Sequence, residues 1–197
     1  MNNIDLNIFK ATLPKTLLEQ GCILISEPFL ESPIFSRSII LITEYNSEGT
    51  IGFVLNKPSD IYPDELFDDV FSFNGVLHIG GPVSTNTLHF IHTFGDKVPG
   101  AIKITPSIYW GGDFEIVKKM INSGMADSHS IRFFVGYSGW SAGQLESEIE
   151  ENSWVVSKLD DNKIMNADSN KSWHEILNGF RGIYKTWSNF PRHPSFN

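Results

Sequence analysis

The sequence predicts an α+β fold, in which a mixed sheet carries flanking helices. Apolar, β-branched runs of strand length recur along the chain. Some are joined as hairpins and others are separated by helical segments, and that order favours a mixed sheet over a doubly wound parallel one. The 197 residues are 41% hydrophobic and 19% charged, which is typical of a globular protein. We therefore expect one domain over residues 1–197 with a substantial core.

The first part of the chain predicts a short helical segment and three strands. Residues 1–20 mix small apolar groups with Pro14 and predict one or two short helices that pack on the body. Three apolar runs predict strands: 21–26, 38–44 and 50–56. The polar loop 45–49 ends in glycine and predicts a hairpin between the second and third strands. The loop 27–37 contains two prolines, which cannot join a central sheet ladder.

The middle of the chain alternates short strands with two predicted helices. Residues 59–71 predict an acidic helix that begins at Asp60 or Pro63. Residues 110–124 predict a second helix, with Asp113 as its N-cap and Gly124 as its C-cap. Three strands are predicted here: 76–84, which ends in a Gly-Gly-Pro turn, then 87–93 and 100–105.

The last third of the chain contains its most distinctive segment. A predicted strand, 130–137, leads into 136-GYSGWSAGQLESE-148, which is rich in glycine, aromatic and polar residues. Three elements are predicted to follow: a helix at 142–152, a strand at 153–158, and a final helix at 172–187 despite its two glycines.

Charge and cysteine content argue against several classes of protein. The net charge is −8 and the pI is about 5.2, and no stripe of Lys or Arg is visible, which argues against direct binding to nucleic acid. The single cysteine, Cys22, lies in an apolar run, so we expect a buried thiol and a reducing compartment. No signal peptide or membrane-spanning run is visible. We expect a cytoplasmic protein without a membrane partner.

Ser141 has two interpretations. The run 139-GWSAG-143 matches G-x-S-x-G, the nucleophile elbow of serine hydrolases, and three aspartates and then His174 follow it in the order of that fold. However, too few residues follow Ser141 to complete such a fold. The run 141-SAGQ-144 is also a capping box, with Ser141 as N-cap and Gln144 at the third helical position. We favour the cap and keep a serine hydrolase as an alternative.

The sequence predicts neither a metal site nor a cofactor. The glycines of the distinctive segment do not match G-x-G-x-x-G, and no Lys-Ser or Lys-Thr pair follows them. Glu146 and Glu150 share a helix face but lack a histidine or aspartate at ligand spacing. His89 and His92 lie three apart on a predicted strand, so they would face opposite sides.

Four segments together resemble the AlgH-like, or YqgE-type, family of bacterial proteins. The longest is 136-GYSGWSAGQLESEIEENSW-154, and the others are 25–58, 80-GGPV-83 and 109-YWGGD-113. The resemblance covers nearly the whole chain. It implies a bent, mostly antiparallel sheet that is curled into a pseudo-barrel and flanked by helices.

The same resemblance implies little about activity. No catalytic activity is established for the family, and its label of transcriptional regulator derives from genetics around alginate production. Relatives often carry a residue other than serine at the position of Ser141, which weakens the nucleophile interpretation.

Ten residues are candidates for a surface that binds a ligand or partner, because their side chains are costly to bury alone or could shape a pocket. They are Arg37, Asn56, Gly80, Gly81, Pro82, Trp110, Tyr137, Trp140, Gln144 and Glu146. For Arg37, Asn56 and the Gly-Gly-Pro turn a structural role is favoured, since polar strand ends usually satisfy loop backbone. The three aromatic residues could frame a pocket.

These observations predict a non-enzymatic binding or regulatory domain that acts on an unknown protein or small ligand. The alternatives are a serine hydrolase that uses Ser141 and a regulator that binds DNA directly.

Overall fold

The structure is a computed structural model that describes residues 18–67, 69 and 73–191. Nine strands lie within these residues: β1 Ile23–Ser26, β2 Ile39–Asn46, β3 Gly49–Val54, β4 Leu77–Ile79, β5 Val83–His92, β6 Ile102–Lys103, β7 Tyr109–Trp110, β8 Ile131–Ser141 and β9 Trp154–Ser157. Five α-helices accompany them: α1 Phe114–Asn122, α2 Gln144–Glu150, α3 Asp161–Met165, α4 Asn170–Asn178 and α5 Ile183–Trp187.

The strands form one sheet in the order β6-β7-β5-β8-β3-β2-β1-β9, and β4 pairs with β8 beside this path. Only the β4–β8 pairing is parallel among the described strands. The first half of β8 lies between β5 and β4, and its second half pairs with β3. An α+β fold built on a mixed, mostly antiparallel sheet is therefore confirmed.

The sheet is covered on both faces, which explains why its strands are continuous apolar runs. Alternate residues of β1 and β2 face α3, α4 and α5, where Trp173 is fully buried. The intervening residues face α2 and the loop that precedes β2, in a cluster that contains Trp140 and Trp154. A third cluster packs α1 against the first half of β8 and the second half of β5.

Several sequence predictions are confirmed in position. The β2–β3 hairpin turns at Asn46, whose Oδ1 accepts hydrogen bonds from the backbone N–H groups of Glu48 and Gly49. Asp113 caps α1 by accepting from the N–H groups of Glu115 and Ile116. Cys22 is buried, and burial raises the pKa of its thiol to about 11. The hairpin and the helix cap were predicted from short sequence patterns, and their hydrogen bonds join residues that are close in the sequence.

Other element predictions need correction. The acidic helix predicted at 59–71 is a single 3-10 turn, Pro63–Glu65, and residues 68 and 70–72 lie outside the described part. The Gly-Gly-Pro turn follows β4, and β5 begins directly after that turn. The strand predicted at 87–93 is the second part of β5. The strand predicted at 100–105 is reduced to β6, which pairs with β7. The helices predicted within 1–20 fall mostly outside the described residues.

The helix predicted at 172–187 is two helices. The first, α4, ends at its C-cap Gly179, and α5 begins after Gly182, which has φ 67° and ψ −139°. That backbone conformation is open to glycine and strained for other residues. The two glycines therefore separate the helices, and the apolar pattern continues because both helices cover the same core. The sequence did not predict α3.

A candidate functional site at the end of β8

The predicted strand at 130–137 is longer in the structure, because β8 continues to Ser141. Its last residues pair with β3, with Ser141 opposite Gly49 and Ser138 opposite Gly52. The distinctive segment is therefore mostly strand. The helix predicted at 142–152 is α2, which begins at Gln144 and has Gly143 as its N-cap.

The prediction that Ser141 caps this helix is wrong, although half of the capping box is present. The side chain of Gln144 reaches back, and its Oε1 accepts a hydrogen bond of 3.1 Å from the Ser141 backbone N–H. Ser141 itself is held in the β3 pairing, so its hydroxyl is placed away from the cap position. Gly143, with φ 77°, makes the turn into the helix instead.

The hydrogen bonds of His174 and Asp161 are made to residues other than Ser141. His174 lies on α4, where Nδ1 donates to the Ser188 carbonyl at 2.7 Å and Nε2 accepts from Arg37 Nη1 at 3.0 Å. Asp161 accepts from the hydroxyl and backbone N–H of Ser107. The Ser, Asp, His order seen in the sequence therefore does not assemble a triad.

Trp140 and Gln144 meet at a residue that the sequence analysis did not select, Glu148. The Oε2 atom of Glu148 accepts from the indole Nε1 of Trp140 at 2.9 Å and from that of Trp154 at 2.7 Å. Its Oε1 accepts from Gln144 Nε2 at 3.0 Å. The two indole rings pack edge to face, with centroids 6.0 Å apart. This arrangement holds α2 against β8 and β9 and leaves little of Trp140 exposed.

Glu146 ties α2 to the β2–β3 hairpin. Its Oε1 accepts a hydrogen bond of 2.7 Å from the Tyr45 hydroxyl. That hydrogen bond is the main reason why the pKa of Tyr45 is raised. Both side chains are engaged with each other, which supports a positioning role for Glu146.

Trp110 and Tyr137 meet through a histidine. The ring centroid of His89 lies 6.3 Å from that of Trp110 and 5.8 Å from that of Tyr137, and all three rings are half-buried. Phe53 lies beneath them, 5.2 Å from His89 and 5.7 Å from Trp110. Burial lowers the pKa of His89. The structure thus joins two of the three predicted aromatic residues, while Trp140 packs in a different cluster.

Arg37 and Asn56 contact each other on another part of the molecule. Asn56 is fully buried, donates from Nδ2 to the Arg37 carbonyl at 2.8 Å and accepts from the Ile39 N–H at 2.8 Å. The guanidinium of Arg37 lies over the Trp173 ring at 5.0 Å and donates to the Phe190 carbonyl at 2.6 Å. These contacts join the start of β2 to α4 and the chain after α5.

The Gly-Gly-Pro turn packs closely against the backbone of β8. The Gly80 carbonyl accepts from the Val54 N–H at 2.9 Å and from the Ser138 hydroxyl at 3.0 Å. A Cβ atom on Gly80 would lie 2.3 Å from the Gly136 carbonyl oxygen, and one on Gly81 would lie 2.2 Å from the Tyr137 backbone. Only glycine permits this approach of the two backbones, and Pro82 lies exposed beside them.

A shallow depression of about 460 Å³ opens beside the end of β8, between that strand and the β2–β3 hairpin. It brings together three of the candidate residues: Tyr137, Trp140 and Ser141. The hairpin adds the carboxylates of Glu44 and Glu48, which the sequence analysis did not select. No Lys, Arg or His is among the residues that line the depression.

Among the described residues, no group of three or more His, Cys, Asp or Glu side chains is arranged to hold a metal ion. None of the helices within those residues has the length and apolar character needed to cross a membrane.

The AlgH-like family matches residues 23–185 of the chain. The chain belongs to the AlgH-like family. A UPF0301 protein of Bacteroides thetaiotaomicron is 41% identical over 196 residues, which cover 99% of this chain and 100% of that protein. One of Parabacteroides distasonis is 42% identical over 193 residues, covering 97% and 98%.

Solved structures show the same AlgH-like fold. The crystal structure of protein DIP2367 from Corynebacterium diphtheriae matches with a TM-score of 0.71 at 23% identity, over 92% of this chain and 95% of that one. The solution structure of AlgH from Pseudomonas aeruginosa matches with a TM-score of 0.67 at 22% identity, over 87% and 94%. At these identities the likeness concerns the fold alone.

Proposed function

We propose that this AlgH-like protein is a non-enzymatic binding domain whose ligand is a positively charged segment of a partner protein. The observation that carries the proposal is the depression at the end of β8, which combines two carboxylates with an aromatic ring and no cationic residue. An aromatic face attracts an ammonium or guanidinium group. The carboxylates of Glu44 and Glu48 favour the same charge.

The shape of the depression supports a peptide rather than a deeply enclosed small molecule. It is open along one side, and Gly139 and Ser141 are exposed on its floor. A glycine without a side chain leaves the β8 backbone accessible to a partner backbone. A lysine or arginine side chain could then extend toward Glu44 and Glu48 while its stem lies on Tyr137.

The surroundings of Ser141 favour this proposal over a serine hydrolase. A serine hydroxyl needs an adjacent base to become a nucleophile, and no histidine lines the depression. A regulatory role would act through the partner protein rather than through DNA, because the depression is acidic and the net charge is −8. We place this activity in the cytoplasm, in keeping with the buried, unreactive thiol of Cys22.

The test uses two sets of short peptides of equal length, one rich in lysine and the other rich in glutamate. We expect the lysine-rich set to shift the amide NMR signals of Thr50, Gly139 and Ser141. The combined variant Glu44→Gln, Glu48→Gln and Tyr137→Ala should weaken binding about tenfold. Glu31→Gln, a change at an exposed glutamate outside the depression, should leave affinity unchanged. Equal binding of both peptide sets, or shifts confined to other surfaces, would contradict the proposal.

A further inference from the structure

A second cavity, of about 340 Å³, lies between β4, β8 and the segment after α3. Its lining includes two side chains that are almost fully buried, His78 from β4 and Arg132 from β8. Ser128 and Ser169 contribute hydroxyl groups, and both are partly exposed. None of these residues takes part in the site at the end of β8.

Arg132 carries a buried positive charge that has no ion-pair partner in direct contact among the described residues, although the charge of the exposed Asp168 acts on it from a distance. It is 3% exposed, and its guanidinium donates only to carbonyl oxygens: those of Ile164 at 2.9 Å, of Ala167 at 3.4 Å, and of Leu55. Burial lowers the pKa of Arg132 to about 10, while the charge of Asp168 raises it. A buried charge satisfied only by dipoles is costly, because carbonyl groups do not cancel the net charge.

His78 lies on the same face of the sheet as Arg132. In the parallel β4–β8 pairing His78 is opposite Phe134, and Arg132 precedes Phe134 by two residues, which places it on the same side of β8. His78 is 5% exposed, and neither of its ring nitrogens meets a partner with good hydrogen-bond geometry among the described residues, although backbone groups of Val76 and Phe133 lie close to the ring. A buried imidazole without a well-formed hydrogen bond, at the wall of a cavity, offers a donor and an acceptor to a ligand.

We propose that this cavity binds a small oxyanion, a group of the phosphate, sulfate or carboxylate class. The bound oxygen atoms would accept a hydrogen bond from the His78 ring and offset the charge of Arg132, with the hydroxyl groups of Ser128 and Ser169 as further donors. An oxyanion meets both needs at once, since it supplies acceptor atoms and negative charge. A water molecule could satisfy the ring nitrogens alone, but it would add no negative charge beside Arg132.

Binding of an anion in this cavity should change the protonation of His78. Burial and the charge of Arg132 lower the pKa of His78 to about 3, although the nearby backbone of Phe133 and Val76 favours its protonation. An anion in the cavity would oppose both effects and raise this pKa, so anion binding should take up a proton. Binding should therefore strengthen as the pH falls. The other charged or titratable groups that line the cavity are His129 and Asp168, at its rim.

The experiment titrates the intact protein with sulfate, whose charge is constant over the relevant pH range, at fixed ionic strength in sodium chloride. The ring signals of His78 are followed by NMR in the wild-type protein, so the measurement does not depend on a variant that folds. We expect a saturable shift of these signals, an increase in the pKa of His78 on binding, and tighter binding at pH 5 than at pH 8. These outcomes would support an oxyanion site.

Two variants sharpen the result. His78→Phe keeps an aromatic ring, although a larger one, and removes both nitrogens, and it should weaken sulfate binding roughly tenfold. Lys119→Gln, at an exposed position on α1, removes a positive charge elsewhere and should bind as the wild type does. The proposal is overturned if the His78 signals do not respond to sulfate, or if His78→Phe and the wild type bind it equally. Neither result would bear on the peptide site at the end of β8.

Discussion

Glu148 connects three polar side chains at the end of the sheet. It accepts from the indole N–H groups of Trp140 and Trp154 and from the amide of Gln144. Both tryptophans are buried, while Glu148 is partly exposed. A carboxylate that accepts from buried donors contributes more to stability than an exposed ion pair does.

We predict that Glu148→Ala lowers the free energy of unfolding by about 2–4 kcal/mol, because two buried N–H donors lose their acceptor. Glu148→Gln keeps one oxygen and should cost less. Urea unfolding followed by tryptophan fluorescence measures both. Glu151→Ala, at an exposed residue just after α2, should change stability by less than about 0.5 kcal/mol. Equal stability of the two alanine variants would show that the indole groups do not depend on Glu148.

At the residue scale, the sequence contained some of these signals and lacked others. His78 and Arg132 each interrupt an apolar strand, 76-VLHIGGPVS-84 and 130-SIRFFVGY-137, and a polar residue in such a run is a detectable sign of a buried polar site. The role of Glu148 had no such sign, because its donors come from two different strands. Arg37 and Asn56 were selected because they are costly to bury unpaired; both are buried, and the hydrogen bond that joins them depends on the fold.

At the scale of elements, the break between α4 and α5 determines how the last helices cover the core. Gly182 has φ 67° and ψ −139°, and a Cβ atom there would meet no other atom within 4 Å. Any cost of a side chain at this position is therefore backbone strain rather than a clash. Gly179, with φ −73° and ψ −17°, has ordinary helical backbone angles.

We predict that Gly182→Ala lowers the free energy of unfolding by about 1–3 kcal/mol, because the residue must hold a backbone conformation that alanine disfavours. The matched change Gly179→Ala should alter stability by less than about 1 kcal/mol. Its Cβ atom would lie 3.2 Å from the Ile176 carbonyl, a contact that a slight shift relieves. Thermal unfolding of both variants checks the difference, and an equal loss in both would refute the strain argument.

Elements were predicted correctly where the contacts that form them join residues close in the sequence. The β2–β3 hairpin and the N-cap of α1 were predicted because Asn46 and Asp113 bond to their own neighbours. The cap of α2 was misassigned because pairing with β3 holds Ser141 in a strand, and that pairing joins distant parts of the chain. The helix at 172–187 was predicted as continuous because the apolar pattern contains no information about the backbone conformation of Gly182.

At the scale of the whole molecule, buried histidines link stability to pH. The pKa of His78 is about 3 in the folded protein, against an ordinary value of 6.5. Below pH 6.5 the unfolded chain therefore binds a proton that folded His78 does not bind, and stability falls as the pH decreases toward 3. Burial also lowers the pKa of His89 and His92, which act in the same direction.

We predict that the free energy of unfolding decreases between pH 6 and pH 4, with His78 contributing up to about 1.4 kcal/mol per pH unit. His78→Phe should remove that contribution and leave those of His89 and His92. Urea unfolding at a series of pH values, in a buffer of constant anion content, gives both slopes. Identical slopes for the two proteins would show that His78 is not buried in its neutral form.

The position of β8 also affects how the chain acquires its structure during synthesis. This strand lies between β3 and β5 in the sheet, yet it comes about 80 residues after β3 in the sequence. The partner of β1, β9, comes later still. A ribosome therefore releases β3 and β5 with their inner edges unpaired, and those edges stay available to other chains until residue 141 emerges. A nascent chain that ends before β8 should remain dependent on chaperones, and β9 adds to the edge of the sheet beside β1 only after β8 has emerged.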